Sequence, residues 1–261
     1  MTIFKHELKR SKTALLIWTV SICFMLSVCI LIYPEMSSQM GEISDMFANM
    51  GSFSAAFCMD KISFGTFIGY FGLECGNVLG LGGAFFSALL GISALAKEEK
   101  EHTAEFLLTH PISRTKIILE KWCAVMAQIV ALNLIVMAAT ALSVLIIREE
   151  ISIKTLALLF LAYFLMQLEV AAITFGISAF LRRGSLGIGL GLAAMFYFLN
   201  ILSNLIEKTK FLKYLTPFGY TEGADIISDS RINNGYLASG VVLSAAGIIL
   251  AFWKYRKKDI V

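Results

Sequence analysis

Charge and proline are what this chain has least of. Only 16% of its 261 residues are Asp, Glu, Lys or Arg, and there are 3 Pro. A soluble domain carries about 25% charged residues, so this chain cannot cover an aqueous core of its length with a water-facing surface. That deficit excludes a soluble enzyme and a disordered chain. Histidine is as scarce: His6, His102 and His110 all lie outside the apolar runs. An intramembrane protease needs a nucleophile with its base, or a metal set, at membrane depth. The Gly-x-Ser sequences at Gly91–Ser93 and Gly176–Ser178 have no imidazole there, and the pairs Glu98-Glu99 and Glu149-Glu150 fall outside the runs. Five Cys at scattered spacings give neither a metal pattern nor a disulfide framework. Cys23, Cys29 and Cys123 lie in apolar runs, where a packed, reduced thiol is expected. A net charge of +3 is too small to suggest a nucleic-acid partner.

What is abundant is apolar surface: 57% hydrophobic residues, 20 Phe and a mean hydropathy of +0.76. A bilayer-crossing helix needs about 20 mostly apolar residues. Six stretches qualify, at 14–33, 64–96, 123–147, 155–181, 186–206 and 237–254. They show no period-2 alternation and far exceed a barrel strand of about 9–11 residues. Backbone groups in lipid must bond internally, so the runs are expected to be helices. The expected fold is an all-α polytopic membrane protein, a single domain over 1–261. The first run follows Lys5, Lys9, Arg10 and Lys12 but ends at Tyr33-Pro34-Glu35 without a small-residue cleavage site, which favours an uncleaved span. With the N-terminus inside, fifteen of the 22 Lys and Arg fall on the inner side; Lys61, Arg148, Lys154, Lys208, Lys210, Lys213 and Arg231 fall outside. That bias places both termini in the cytosol, in a cell membrane of the bacterial plasma-membrane kind.

Between the spans, Met36, Met40, Ile43, Phe47, Met50, Ser54 and Phe57 recur at helical spacing, which predicts an outer interfacial helix within 35–61. The second span is crowded with glycine. Gly72, Gly76 and Gly80 form a small-residue stripe suited to close helix packing, and the run is long enough for a break or a re-entrant start near Gly65–Gly72. Gly187 and Gly191 form a second small pair. The G-x-G-x-x-A at Gly189–Ala194 lacks the preceding strand of a dinucleotide site. Glu74 beside Asn77, and Glu169 beside Gln167, put polar groups at membrane depth. Such groups are costly and face a cavity or a partner; they are either passage contacts or ties between helices. After Pro217, Phe218–Ile227 predicts a turn and a short helix. Trp253, Lys254, Arg256, Lys257 and Lys258 supply an interfacial anchor.

The stretch Lys97–Trp122 carries the most information. A charge run at Lys97–Glu101 leads into Phe106-Leu107-Leu108, which Pro111 should terminate. Ser113 is a good N-cap for the next helix. An apolar tip on such an elbow suits insertion into a groove of a soluble partner; the alternative is that it lies on the membrane surface.

These residues resemble the cytosolic loop of ABC-2 type permeases, the membrane subunits of one class of ATP-driven exporter. The resembling pieces are Glu98/Glu99, Thr103-Ala104-Glu105-Phe106-Leu107-Leu108, Pro111 and Ser113-Arg114. Phe4–Trp18 and Leu215-Thr216-Pro217-Phe218-Gly219-Tyr220 are similar to other parts of that family, which often has a basic residue where this chain has Gly219. The resemblance implies a cytosolic coupling helix within 97–122 that docks on a separate ABC ATPase. Its contacts would be Glu98, Glu99, Thr103, Glu105, Phe106, Leu107, Leu108 and Arg114. It also implies an interfacial helix at 3–12 and pairing with a second, identical or related permease around one passage. The chain has no G-x-x-x-x-G-K-[ST] phosphate loop and no large soluble segment for a nucleotide domain, so ATP and Mg²⁺ are expected on the partner and no cofactor on this chain. The substrate is expected to be apolar or amphipathic, passing Glu74, Asn77, Gln167 and Glu169. The rival expectation is a proton-coupled secondary transporter using Glu169.

Overall fold

The computed structural model describes residues 2–48, 50–56, 58–59, 65–97, 112–149, 151–181 and 185–257. In chain order the helices are α1 (Thr2–Ala48), α2 (Ser52–Ala56), α3 (Phe67–Cys75), α4 (Gly82–Ala94), α5 (Arg114–Ile147), α6 (Ile153–Ser178), α7 (Leu186–Leu205), α8 (Gly223–Asp229) and α9 (Asn234–Lys257). A π-helical segment, Gly76–Leu81, joins α3 to α4, and short 3-10 turns occupy Glu207–Tyr214 and Pro217–Tyr220. Six stretches are long and apolar enough to cross a membrane: Thr2–Ser37, Phe67–Ala94, Arg114–Ile147, Ile153–Ser178, Leu186–Leu205 and Asn234–Lys257. The chain is an all-α, multi-pass membrane protein.

Helix starts follow side-chain chemistry. The hydroxyls of Ser113, Ser152 and Thr66 accept from the backbone N–H groups of Lys116, Thr155 and Gly69, each satisfying a donor that the first turn leaves unpaired. Thr216 accepts from Phe218 N while Pro217 opens the 3-10 turn, so the chain turns there and α8 follows. Other lengths depart from the hydropathy pattern. The interfacial helix, the first span and the outer stretch as far as Ala48 run as one 47-residue helix with Pro34 inside it, and Ser54 of the expected outer helix lies in the separate α2. The long second run does not break within Phe67–Ala94; its helix starts at Phe67, after the Thr66 cap, and continues through the π-helical segment into α4. The 34 residues of α5 span about 51 Å at 1.5 Å per residue, against a hydrocarbon core of about 30 Å, so its ends project beyond the lipid.

The core sits around α6, with α4 packed on one side and α9 on the other, while α1 lies along α5. Close approach explains these pairings. A Cβ on Gly176 of α6 would overlap the backbone of Gly247 in α9, and one on Gly91 of α4 would overlap Thr174 and the Ala171 carbonyl. Without a hydrophobic driving force between helices in lipid, such tight contacts supply the packing energy. Gly76 and Gly80 give room for the ring of Tyr163, whereas nothing lies against the Cβ position of Gly191. Leu26, Leu79, Ile92, Ile118 and Phe175 are buried, and Phe24 (66% exposed), Leu145 (72%) and Val242 (66%) face outward, as a lipid-facing surface requires. Cys23 and Cys29 are half-buried, but Cys123, expected to be packed, is exposed.

Candidate functional site

One end of the bundle gathers the N-terminal residues, the C-terminal residues and both roots of segment 98–111. The Phe4 N–H donates to Glu120 Oε2 (3.1 Å), tying α1 to α5. Arg114, the first residue of α5, donates through Nη1 to the carbonyls of Tyr255 (3.3 Å) and Arg256 (3.1 Å). Those carbonyls belong to the last turn of α9, where orphan acceptors and the negative end of the helix dipole favour a cation. Lys121, 1% exposed, donates to the Ala94 carbonyl (2.6 Å) and to Glu7 Oε1 (3.2 Å). Ala94 is the last residue of α4. One ammonium therefore joins the end of α4, the second turn of α5 and the N-terminal part of α1. A buried ammonium needs such partners, because an unpaired one costs several kcal/mol.

Among the ATPase-coupling residues expected from the resemblance, Arg114 is described and occupies this junction. Glu98, Glu99, Thr103, Glu105, Phe106, Leu107 and Leu108 lie outside the described residues. What is described are the two points from which their segment leaves and to which it returns, and both are anchored by the bonds above.

The polar residues expected at membrane depth fall into separate places. Gln167, fully buried, accepts through Oε1 from Asn133 Nδ2 (2.6 Å) across α5 and α6, and lies against Gly83 of α4. Glu169 is two residues on, about 200° around the helix. It is 4% exposed and sits against Gly240 of α9 with the Tyr220 hydroxyl close enough to interact. Neither Glu169 oxygen makes a hydrogen bond of ordinary geometry. Glu74 Oε2 accepts from Cys29 Sγ on α1 (3.6 Å), whereas Asn77, in the π-helical segment, lines a cavity with Tyr163, Asn200 and Glu222. The four residues do not converge on one path through this chain. Gln167 is a tie between helices, and Asn77 alone among them lines this cavity.

Two constellations escaped the sequence reading. Lys121 follows an ordinary acidic neighbour at the start of a long helix, and nothing local marks it as buried. Asn200 and Asn204 both donate to Glu222 Oε1, at 2.6 and 2.7 Å. Their i, i+4 spacing on α7 was the available signal, since it puts both amides on one face.

No curated protein matches the chain. The model of the family described as ABC-2 family transporter protein matches residues 1–260. An all-helical bundle of six crossing segments, matched from end to end in this way, places the chain in the ABC-2 transporter family.

Proposed function

We propose that this chain is the membrane-spanning subunit of an ATP-driven exporter, forming the passage for an apolar or amphipathic substrate and moved by a separate cytosolic ABC ATPase. The observation that carries the reading is the junction of Lys121 and Arg114 at the roots of segment 98–111. A push on that segment would be delivered to α4 and α5 directly, to α1 through Lys121 and Glu7, and to α9 through Arg114. Segment Glu98–Leu108 would dock on the ATPase, which would hold ATP and Mg²⁺. Both termini would face the cytosol from the plasma membrane, and a second permease copy or a related one would complete the passage. Closure of paired ATPases on ATP would drive the elbows and open the passage outward. The test is gentle purification of the tagged chain and mass spectrometry of what accompanies it. A stoichiometric ATP-binding subunit, lost on Leu107→Asp while the permease stays in the membrane, is expected. Its absence from the wild type in several mild detergents, or its retention by Leu107→Asp, would refute the docking role.

A second reading, a proton-coupled transporter, is favoured by one observation: Glu169 is buried with both oxygens outside ordinary hydrogen bonds. It predicts that collapse of the proton gradient stops transport, whereas the ATP-driven exporter continues.

A further inference from the structure

A cavity of about 60 Å³ lies at the end of the bundle opposite the termini. Its walls come from α3, the π-helical segment, α6, α7 and the elbow that runs from Phe218 into α8. The charged group in its lining is Glu222. Two amides, Asn200 Nδ2 and Asn204 Nδ2, converge on Glu222 Oε1 and hold the carboxylate in place. No described Lys or Arg pairs with it; the neighbouring Lys213 pairs with Asp225 instead, at 3.7 Å. Tyr163 and Tyr197 both lie within electrostatic reach of Glu222. The Tyr197 ring stands edge-on to Phe218 with centroids 5.6 Å apart, and both rings line the cavity. Asn200 is 7% exposed, and its Oδ1 has no hydrogen-bond partner. Asn77, which is exposed, stands on the same wall in the π-helical segment. Short π segments in α-helices recur at functional sites.

This lining sets one carboxylate beside the rings of Tyr163, Tyr197 and Phe218 and the amides of Asn77 and Asn200. Glu222 is half-buried, and a partly desolvated carboxylate gains from a cation beside it. Aromatic faces beside it attract organic cations specifically. A metal ion would ask for six or more oxygens, and no group of three His, Cys, Asp or Glu is assembled among the described residues. The size is also selective. A water needs about 10–15 Å³ of such space, so the cavity takes one ammonium group with a few waters, and the rest of a larger molecule would extend past Asn77. We propose that the cavity at Glu222 is a binding site for the ammonium group of an amphipathic amine, with Glu222 as its counter-charge and Tyr163, Tyr197 and Phe218 as its aromatic wall. This rests on the transport reading and narrows the cargo, or a lipid that accompanies it, to a cationic headgroup.

The test is equilibrium dialysis of radiolabelled dodecylammonium against the full-length chain in phosphatidylglycerol nanodiscs, with uptake by empty nanodiscs subtracted. Saturable binding near one per chain is expected. Glu222→Gln, whose amide oxygen can still accept from Asn200 and Asn204, weakens it at least tenfold, and dodecanol does not compete. Tyr197→Leu, which keeps the charge and removes one aromatic wall, weakens it severalfold and provides the readout should Glu222→Gln not elute as a single species. Repeating the titration in nanodiscs with phosphatidylethanolamine added at a constant fraction of phosphatidylglycerol, which holds the surface charge fixed, separates the two sources of the group. Weaker apparent binding there identifies a lipid headgroup as the occupant, and unchanged binding a free amine. No saturable component, equal binding by Glu222→Gln, or competition by dodecanol overturns the proposal. Capture of the ATPase is read separately and is unaffected by Glu222→Gln, so loss of that capture in the wild type sinks the transport reading while leaving amine binding measurable.

Discussion

Replacing Lys121 with Met removes one ammonium from a junction of three helices and leaves its hydrocarbon stem nearly unchanged in volume. Lys121 is 1% exposed and Glu7 15% exposed, with 3.2 Å between Nζ and Oε1; the Ala94 carbonyl accepts from the same Nζ at 2.6 Å. Breaking a buried ion pair by deleting one partner costs about 3–5 kcal/mol. Glu7 keeps some contact with water, and Met retains the apolar packing, so the expected loss is about 2–3 kcal/mol. For a protein of this size each kcal/mol moves Tm by about 2–4 °C, which puts the shift at about 4–12 °C. The assay is thermal unfolding of the detergent-solubilised chain, run as a cycle with Glu7→Leu. The two substitutions should couple by at least about 1 kcal/mol, since each abolishes the same contact. A Tm loss under about 2 °C for Lys121→Met, or additive losses in the double mutant, would show that the ammonium does not hold these helices together.

Two further substitutions test the packing. Gly247→Leu drives a side chain into the α6 backbone at Ala172 and Ile173 and should cost more than about 3 kcal/mol, seen as loss of a monodisperse elution peak; a well-behaved variant would refute the close crossing. Asn133→Leu removes the hydrogen bond that its amide donates to Gln167 and should cost only about 0.5–1.5 kcal/mol, read from the same unfolding assay, with a loss above about 3 kcal/mol pointing to a wider polar network.

Much of the fold was legible because lipid leaves the backbone few options. Hydropathy placed six spans, and Ser113 and Pro217 marked a helix start and a turn where the structure has them. The continuity of α1 was not legible: Pro34 and Glu35 look like a boundary, yet the chain stays helical through them. The site was less visible still. Sequence proximity grouped Gln167 with Glu169, but residues two apart on a helix face opposite ways, and the two contact different neighbours. Lys121 and Glu222 gain their meaning from Ala94, Glu7, Asn200 and Asn204, partners 18 to 114 residues away in the chain. No local pattern encodes such a meeting. Gly72, Gly76 and Gly80 were read correctly as packing devices, though their partners, Ile227 and the Tyr163 ring, emerge only in three dimensions; the pair Gly187 and Gly191 is not one, since Gly191 faces open space and Gly187 meets only Ser185.

The π-helical segment between α3 and α4 has a consequence for how this protein tolerates change in length. Each residue added to or removed from an α-helix turns everything beyond it by about 100°. Gly76–Leu81 already holds surplus chain in one wide turn, so it sets the rotational phase between two halves with different duties. One half presents Gly72 to Ile227 and the other presents Gly83 to Gln167 and Gly91 to Thr174. Deleting a single residue there would relax the turn to α-helical pitch without breaking the span. The two halves would keep nearly the same phase, because the wide turn gives up the residue it holds in surplus. Elsewhere in the span a one-residue deletion would turn these faces about 100° out of step, with no loose turn to take up the change.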